Sequence, residues 1–175
     1  AQVTRVRSDG QRAVGVEYVP DGGSTTAVDA DNEVILSAGT INSPQLLMLS
    51  GIGPADHLAA HEIPVVEDLP GVGRNLQDHL QVKINYACKQ SITLEDADSL
   101  WNILKYLLLK RGPLTSNVAE AGGFTSVSDV DRPDIQLHFG PSYSVDHGFD
   151  NPDGHGFWLG ALCLRPESRG RITLQ

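Results

Sequence analysis

Short apolar runs, each closed by a turn signal, organise the beginning of this chain. Val3 and Val6 alternate with polar neighbours until Ser8-Asp9-Gly10 breaks the run. Ala13, Val14, Val16, Tyr18 and Val19 follow, and Pro20-Asp21-Gly22-Gly23 ends them. A third run lies at 25–28, and Asp31-Asn32 leads into the wholly apolar Val34-Ile35-Leu36. Period-two alternation between such breaks predicts a β-meander over residues 2–38, with 34–36 as a buried last strand.

At Ser37-Ala38-Gly39 the pattern drops abruptly to small residues. Small residues at a strand end let another group approach the backbone closely. Ser43 offers an N-cap, Pro44 suits the first helical position, Leu46 to Leu49 fill a buried turn or two, and Gly51 and Gly53 stop it. Strand, small-residue corner, capped helix and glycine stop together build the rim of a dinucleotide crevice in α/β domains. A second helix is predicted from Pro54 to His61 with Leu58 inward, then a short strand at Pro64-Val65-Val66.

Beyond residue 80 the period is mixed. Leu80, Val82, Ile84, Tyr86 and Cys88 alternate as a half-buried strand, and Ile135, Leu137 and Phe139 form another. A third covers Phe157 to Leu164. Leu100, Ile103, Leu104, Leu107 and Leu108 recur at helical spacing within 97–111, with Lys110-Arg111 at the C-terminal end of the dipole and Gly112-Pro113 as the stop. Gly140 to Gly156 reads as loop. The fold class is therefore α/β with a β-meander over 1–79, passing into an α+β, antiparallel-sheet part over 80–175.

Composition narrows the function classes. The 175 residues carry a formal net charge of −9, with the acids scattered, and no basic stripe of the kind nucleic acid requires. An acidic field mildly favours a cationic small molecule, but a solvated surface is the better explanation. Cys88 and Cys163 lie far apart without metal spacing and read as buried thiols. No apolar run is long enough to span a bilayer. The chain opens on Ala1 inside an alternating run and closes on Arg171-Ile172-Thr173-Leu174-Gln175 without a turn, as expected of an internal piece of a longer protein. It holds no GxGxxG phosphate loop; Gly71-Val72-Gly73, followed by Arg74-Asn75-Leu76, is a weak imitation.

Two stretches carry a family resemblance. Gly39 to Gly53 resembles the second signature of the glucose–methanol–choline (GMC) oxidoreductases, flavoenzymes that use FAD to oxidise alcohols. Leu69-Pro70-Gly71-Val72-Gly73-Arg74-Asn75-Leu76-Gln77-Asp78-His79 is similar to the family's segment leaving the FAD domain. Arg12 to Tyr18, Gly112 to Asn117 and Ser168-Arg169-Gly170-Arg171 agree as well, closest to choline-dehydrogenase-like and aliphatic-alcohol-dehydrogenase-like members. The resemblance implies that 1–79 closes the first segment of an FAD-binding, Rossmann-like domain and that 80–175 is part of a substrate-binding domain. It further implies cofactor contacts at Val3, Ser37, Ala38 and Gly39, a small-molecule alcohol as substrate, and a catalytic base outside this chain. No electron acceptor is specified. A cytoplasmic protein, peripheral to the membrane at most, is the expected setting.

Other candidates stand with two readings each. Gly39 either clears room for FAD or only for helix packing, and Ser43-Pro44 either holds an anion or caps. Asn75 to His79 pins a strand beneath a flavin, or fixes the boundary by hydrogen bonds; His79 is not assigned as a base. His138 contacts substrate or is an ordinary satisfied histidine, while His147 and His155 are loop histidines. Ser116, Asn117 and Glu120 resemble the family's substrate-side lining. His57 and His61 have i, i+4 spacing, but without a third ligand or HExxH no metal is expected. The activity read is hydride transfer from a CH–OH carbon to flavin, as a dehydrogenase; an oxidase passing electrons to oxygen and a non-catalytic FAD-fold module are the rivals.

Overall fold

The computed structural model describes residues 1–128, 131–146, 149 and 152–175. In chain order the elements are β1 (Gln2–Asp9), β2 (Arg12–Val19), β3 (Thr26–Asp29), α1 (Gly39–Leu49), β4 (Ile52–Gly53), α2 (Ala55–Ala60), β5 (Glu67–Asp68), β6 (Arg74–Leu76), β7 (Gln81–Ala87), α3 (Leu100–Leu109), β8 (Ala121–Thr125), β9 (Ile135–Gly140), β10 (Gly156–Cys163) and β11 (Gly170–Arg171). They fall into two compact units, Ala1–Gln77 with Ser168–Gln175, and Asp78–Glu167. Residues 168–175, read from the sequence as the end of the second part, thus belong to the first unit. The cause is pairing: β11 finds its antiparallel partner in β6.

In the first unit the meander forms as β1-β2-β3, all antiparallel, with Val6 opposite Val16 and Val16 opposite Val28. Gly10 and Gly22 take positive φ at its two turns, and the Gly23 N–H closes the second onto the Pro20 carbonyl at 3.0 Å. Val34-Ile35-Leu36 is not the buried strand its composition predicts. It runs as coil with Ile35 74% exposed, because no strand lies beside it to complete a ladder among the described residues.

Helix α1 starts at Gly39, well before Ser43 and Pro44. Pro44 lies inside it, where its missing N–H leaves the Thr40 carbonyl without an i+4 donor. Ser43 caps nothing; the N-cap position is Ala38, and no side chain caps the helix. At the other end Gly51 terminates it as expected, with φ of +83° and its N–H on the Met48 carbonyl. A Cβ there would lie 2.4 Å from the Pro64 carbonyl oxygen, so the close return of the chain requires glycine. That return pairs β4 with β5 in parallel; the strand falls at Glu67–Asp68, and the apolar 64–66 remain coil, tied by the Val66 N–H to the Gly51 carbonyl at 2.8 Å. Asp68 accepts the Ala55 N–H at 3.0 Å and so serves the start of α2. The core of this unit is Val6, Leu46, Met48 and Leu58.

The second unit is a four-stranded antiparallel sheet in the order β7-β10-β9-β8. Strand β8, Ala-Gly-Gly-Phe-Thr, carries no alternating signal and was not predicted from the sequence. Cross-strand partners Ile84, Leu159 and Phe139 share one face, and Tyr86 stacks on Phe157 with centroids 5.2 Å apart. The alternation in β7 is as predicted, but its burial is inverted. Val82 is 61% exposed, while Gln81, Lys83 and Asn85 are half-buried beside Trp158. Gly140 lies directly opposite Trp158, and a Cβ at Gly140 would approach the indole Nε1 to 2.3 Å. Helix α3 ends at Lys110, which takes the left-handed conformation, and buries none of its residues.

Candidate functional site

A cavity of about 370 Å³ in the first unit is built by β1 and α1. Val3 and Thr4 form one wall; Ala38, Asn42, Gln45 and Leu49 form the other. The local reasons are plain. β1 is the edge of its sheet, so its outer side is open to α1. Residues 42, 45, 46 and 49 fall on one side of a helix with 3.6 residues per turn. Leu46 turns into the core while Asn42 and Gln45 keep amide groups at the cavity.

Of the four residues expected at a cofactor, Val3 and Ala38 are brought together here. Ser37 and Gly39 adjoin Ala38 in sequence without lining the cavity. Gly39 has φ of +84°, and no atom lies within 4 Å of where its Cβ would be. It therefore serves the bend into α1 and leaves open space, and does not make room for a packed neighbour. Small side chains, amide donors and acceptors and one apolar wall suit one end of a dinucleotide. Gly71-Val72-Gly73 offers no phosphate loop. It makes successive turns, with the Val72 N–H on the Leu69 carbonyl and the Arg74 N–H on the Gly71 carbonyl, and enters a strand.

A second cavity, of about 680 Å³, lies on the polar side of β7 in the second unit. The Lys83 ammonium donates to the Ser144 hydroxyl at 2.8 Å and stands 5.1 Å above the Trp158 ring. Asn85 and the Ser144 backbone bond reciprocally, at 3.2 and 2.9 Å, and hold the 141–146 loop against the strand. Sequence reasoning missed these three residues. For Lys83 and Asn85 the signal lies in the polar half of the 80–88 alternation; for Ser144, in the 141–146 loop, there is none. Asp78 and His79 line the same cavity.

The remaining candidates are placed as follows. The network expected across 75–79 is sparse: among the described residues Gln77 reaches the Asn75 carbonyl at 3.4 Å, and Asn75 itself has φ of +61°. His138 meets Trp158 edge-on, with centroids 6.3 Å apart. His155 is not a plain loop histidine; its Nδ1 lies 2.8 Å from the Thr93 hydroxyl and its Nε2 3.4 Å from Asp96. His147 is outside the described residues. The His57 Nε2 accepts the Leu174 N–H at 3.0 Å, and the described residues contain no group of three or more metal-ligating side chains. Ser116 accepts the Val118 N–H locally, and neither it nor Asn117 nor Glu120 lines the two cavities above. Cys88 and Cys163 are free and half-buried.

Comparison with known proteins finds similarity to oxidoreductases. More narrowly, residues 1–81 match the GMC oxidoreductase family model. The chain is 54% identical to human mitochondrial choline dehydrogenase over 99% of this chain and 30% of that one. It is 44% identical to the alcohol dehydrogenase [acceptor] of Pseudomonas putida, over 100% of this chain and 33% of the relative. Among solved structures, Aspergillus oryzae formate oxidase, described for its FAD modification, superposes with a TM-score of 0.83 at 27% identity, over 99% of this chain and 36% of that one. The chain therefore spans about a third of the length of the curated relatives it matches. No helix among the described residues is long and apolar enough to cross a membrane.

Proposed function

We propose that this chain is a segment of an FAD-dependent dehydrogenase that oxidises the CH–OH group of choline or an aliphatic alcohol. The observation that supports it most is the meeting of Val3 and Ala38 at one cavity, inside the stretch that matches the family. Val3 and Ala38 form the wall against the cofactor, Ser37 and Gly39 flank Ala38 at the corner, and Asn42 and Gln45 offer polar contacts at its edge. FAD, when bound, accepts the hydride from the alcohol carbon. Ala1–Gln77 is the cofactor-side unit and Asp78–Glu167 part of the substrate side. No residue here is assigned as the base that takes the alcohol proton.

One wall does not make a flavin site, so the isolated segment should bind no FAD. The test is reconstitution of the purified 175-residue chain and of a relative-length protein carrying it, followed by substrate turnover with choline and medium-chain alcohols. Flavin absorbance only in the longer protein, with reduction by one of these alcohols, is the expected result. A longer protein that holds FAD but is reduced by none of them would sink the proposal. Peroxide formation would assign oxygen as acceptor.

The setting we propose is cytoplasmic with peripheral contact to the membrane. Helix α3 supports it by presenting Leu100, Trp101, Leu108 and Leu109 to solvent beside Lys105, Lys110 and Arg111, without an acid between 99 and 111.

A further inference from the structure

The two family-like stretches at 69–79 and 168–171 are distant in sequence, yet the fold draws them into one ribbon of the first unit. β6 and β11 run antiparallel, with Gly170 opposite Leu76 and Arg171 opposite Arg74. Asn75 is the extra residue between those pairs, and its φ of +61° marks the bulge. The Ile172 N–H closes the ribbon on the Gly73 carbonyl at 2.7 Å. Gly73 is obliged to be glycine here, since a Cβ would come within 2.3 Å of the Ile172 oxygen.

Direct cross-strand partners project to the same face with Cβ atoms about 5 Å apart, and like charges in that position repel. Nature ordinarily relieves such a pair with a carboxylate. In a chain with 22 acids against 13 lysines and arginines, one would be easy to supply. Among the described residues neither Arg74 nor Arg171 is ion-paired or hydrogen-bonded through its guanidinium. Both line a cavity of about 80 Å³ shared with His57, Pro54 and Thr173. That is room for about two to three waters, the size of one tetrahedral oxyanion, at a cleft where both arginines are exposed. His57 accepts the Leu174 N–H on Nε2, so its neutral ring carries its proton on Nδ1 and adds no negative charge.

We propose that the β6–β11 ribbon is an oxyanion site, in which Arg74 and Arg171 hold one phosphate group between their guanidinium forks. A dianion between two arginines turns their repulsion into two charge-assisted, bidentate contacts. The site is separate from the Val3–Ala38 cavity: that cavity uses Gln45 and Leu49 of α1, whereas the ribbon cavity uses Met48, about 100° around the helix from Leu49. The phosphate can be inorganic or part of a larger phosphorylated ligand; the chemistry recognised is the same.

The test is thermal unfolding of the longest protein carrying this chain, in phosphate against chloride at equal ionic strength, for the wild type, Arg74→Gln, Arg171→Gln and Arg171→Lys. Phosphate should raise the wild-type midpoint. Each Gln variant should be at least as stable as wild type in chloride, through relief of repulsion, and should lose the phosphate increment. Lys keeps the charge without the fork and should keep only part of it. Phosphorus-31 line broadening of phosphate gives a reading independent of the unfolding midpoint, and an affinity at least tenfold weaker in Arg171→Gln than in wild type is expected. Running both with apoprotein and FAD-loaded protein separates the sources. Phosphate bound equally in both is a free-anion site, and phosphate excluded by FAD assigns the site to the cofactor's own phosphates. An increment that persists in both Gln variants reflects general salt effects on burial and overturns the proposal. So does a fall in chloride stability without phosphate dependence, which would mean that an acid elsewhere in the protein already pairs the arginines.

Discussion

The backbone N–H of Val6 donates to the Ser50 hydroxyl at 2.8 Å, and that hydroxyl donates onward to the Leu46 carbonyl at 2.6 Å. One small side chain, 2% exposed, thereby joins the edge of the meander to the end of α1. β1 is an edge strand whose outward N–H would be orphaned under the helix, and the Leu46 carbonyl accepts the Ser50 backbone N–H at 3.1 Å as well as its hydroxyl. The cavity holding Val3 and Ala38 lies between the same two elements, so this link sets the spacing of its walls.

Ser50→Ala should remove both bonds and leave a buried N–H, a cost of about 1–3 kcal/mol. Hydrogen exchange at the Val6 amide is the direct readout, with protection expected to fall by about ten- to hundredfold. Ser24→Ala, at an exposed turn residue, is the control and should stay within about 0.5 kcal/mol of wild type. Unchanged Val6 protection would show that the link carries no load.

Ala38→Trp should weaken FAD binding by the relative-length protein about tenfold or more, equivalent to about 1.4 kcal/mol. The indole would enter the Val3–Ala38 cavity and take up the space proposed for the cofactor. Flavin content per folded protein reads the effect, with circular dichroism reporting the fold separately. Full flavin occupancy in a folded Ala38→Trp protein would remove this cavity from the cofactor path.

Gly140→Ala tests the second unit. Its Cβ would collide with the Trp158 indole, a side chain that cannot yield without displacing Lys83 above it. Overpacking of this kind costs about 1–3 kcal/mol. Gly123→Ala, in the neighbouring strand, meets nothing within 4 Å and should be close to neutral. A urea midpoint lowered in the first variant and not in the second is the expected pattern.

These sites differ in how far the sequence foretold them. The meander, α2 and the Gly51 stop were legible because periodicity and turn chemistry are local. Ser43-Pro44 misled, since a proline is compatible with N1 and tolerable later, and only the path of the preceding residues decides. Val34-Ile35-Leu36 reads as strand on composition alone, but a strand is defined by a neighbour. The inverted burial of β7 has the same origin: alternation assigns two faces and leaves open which one is covered. Val3 could be named only through family resemblance and Ala38 also through its small-residue corner, whereas Lys83 and Asn85 were within reach of the alternation and Ser144 was not. The Arg74–Arg171 pairing needed the register of β6 on β11, which no local feature of either stretch encodes.

Helix α3 gives the last prediction. It has ten residues, about 15 Å of helix, far too short for the roughly 30 Å of a bilayer core. Its Trp101 is 73% exposed, and Lys105, Lys110 and Arg111 cluster at one end in a chain otherwise rich in acids. An apolar surface with three cations should bind anionic lipid at its interface, each cation adding about 1 kcal/mol. The relative-length protein should therefore float with vesicles of phosphatidylcholine and phosphatidylglycerol, bind far less to phosphatidylcholine alone, and be released by salt. Leu108→Glu combined with Lys110→Glu should abolish flotation while alcohol oxidation in solution is retained. Flotation unaffected by that double change would move the contact elsewhere on the protein. Absence of flotation in the wild type, with Trp101 shielded from acrylamide, would mean that α3 is covered by the protein itself.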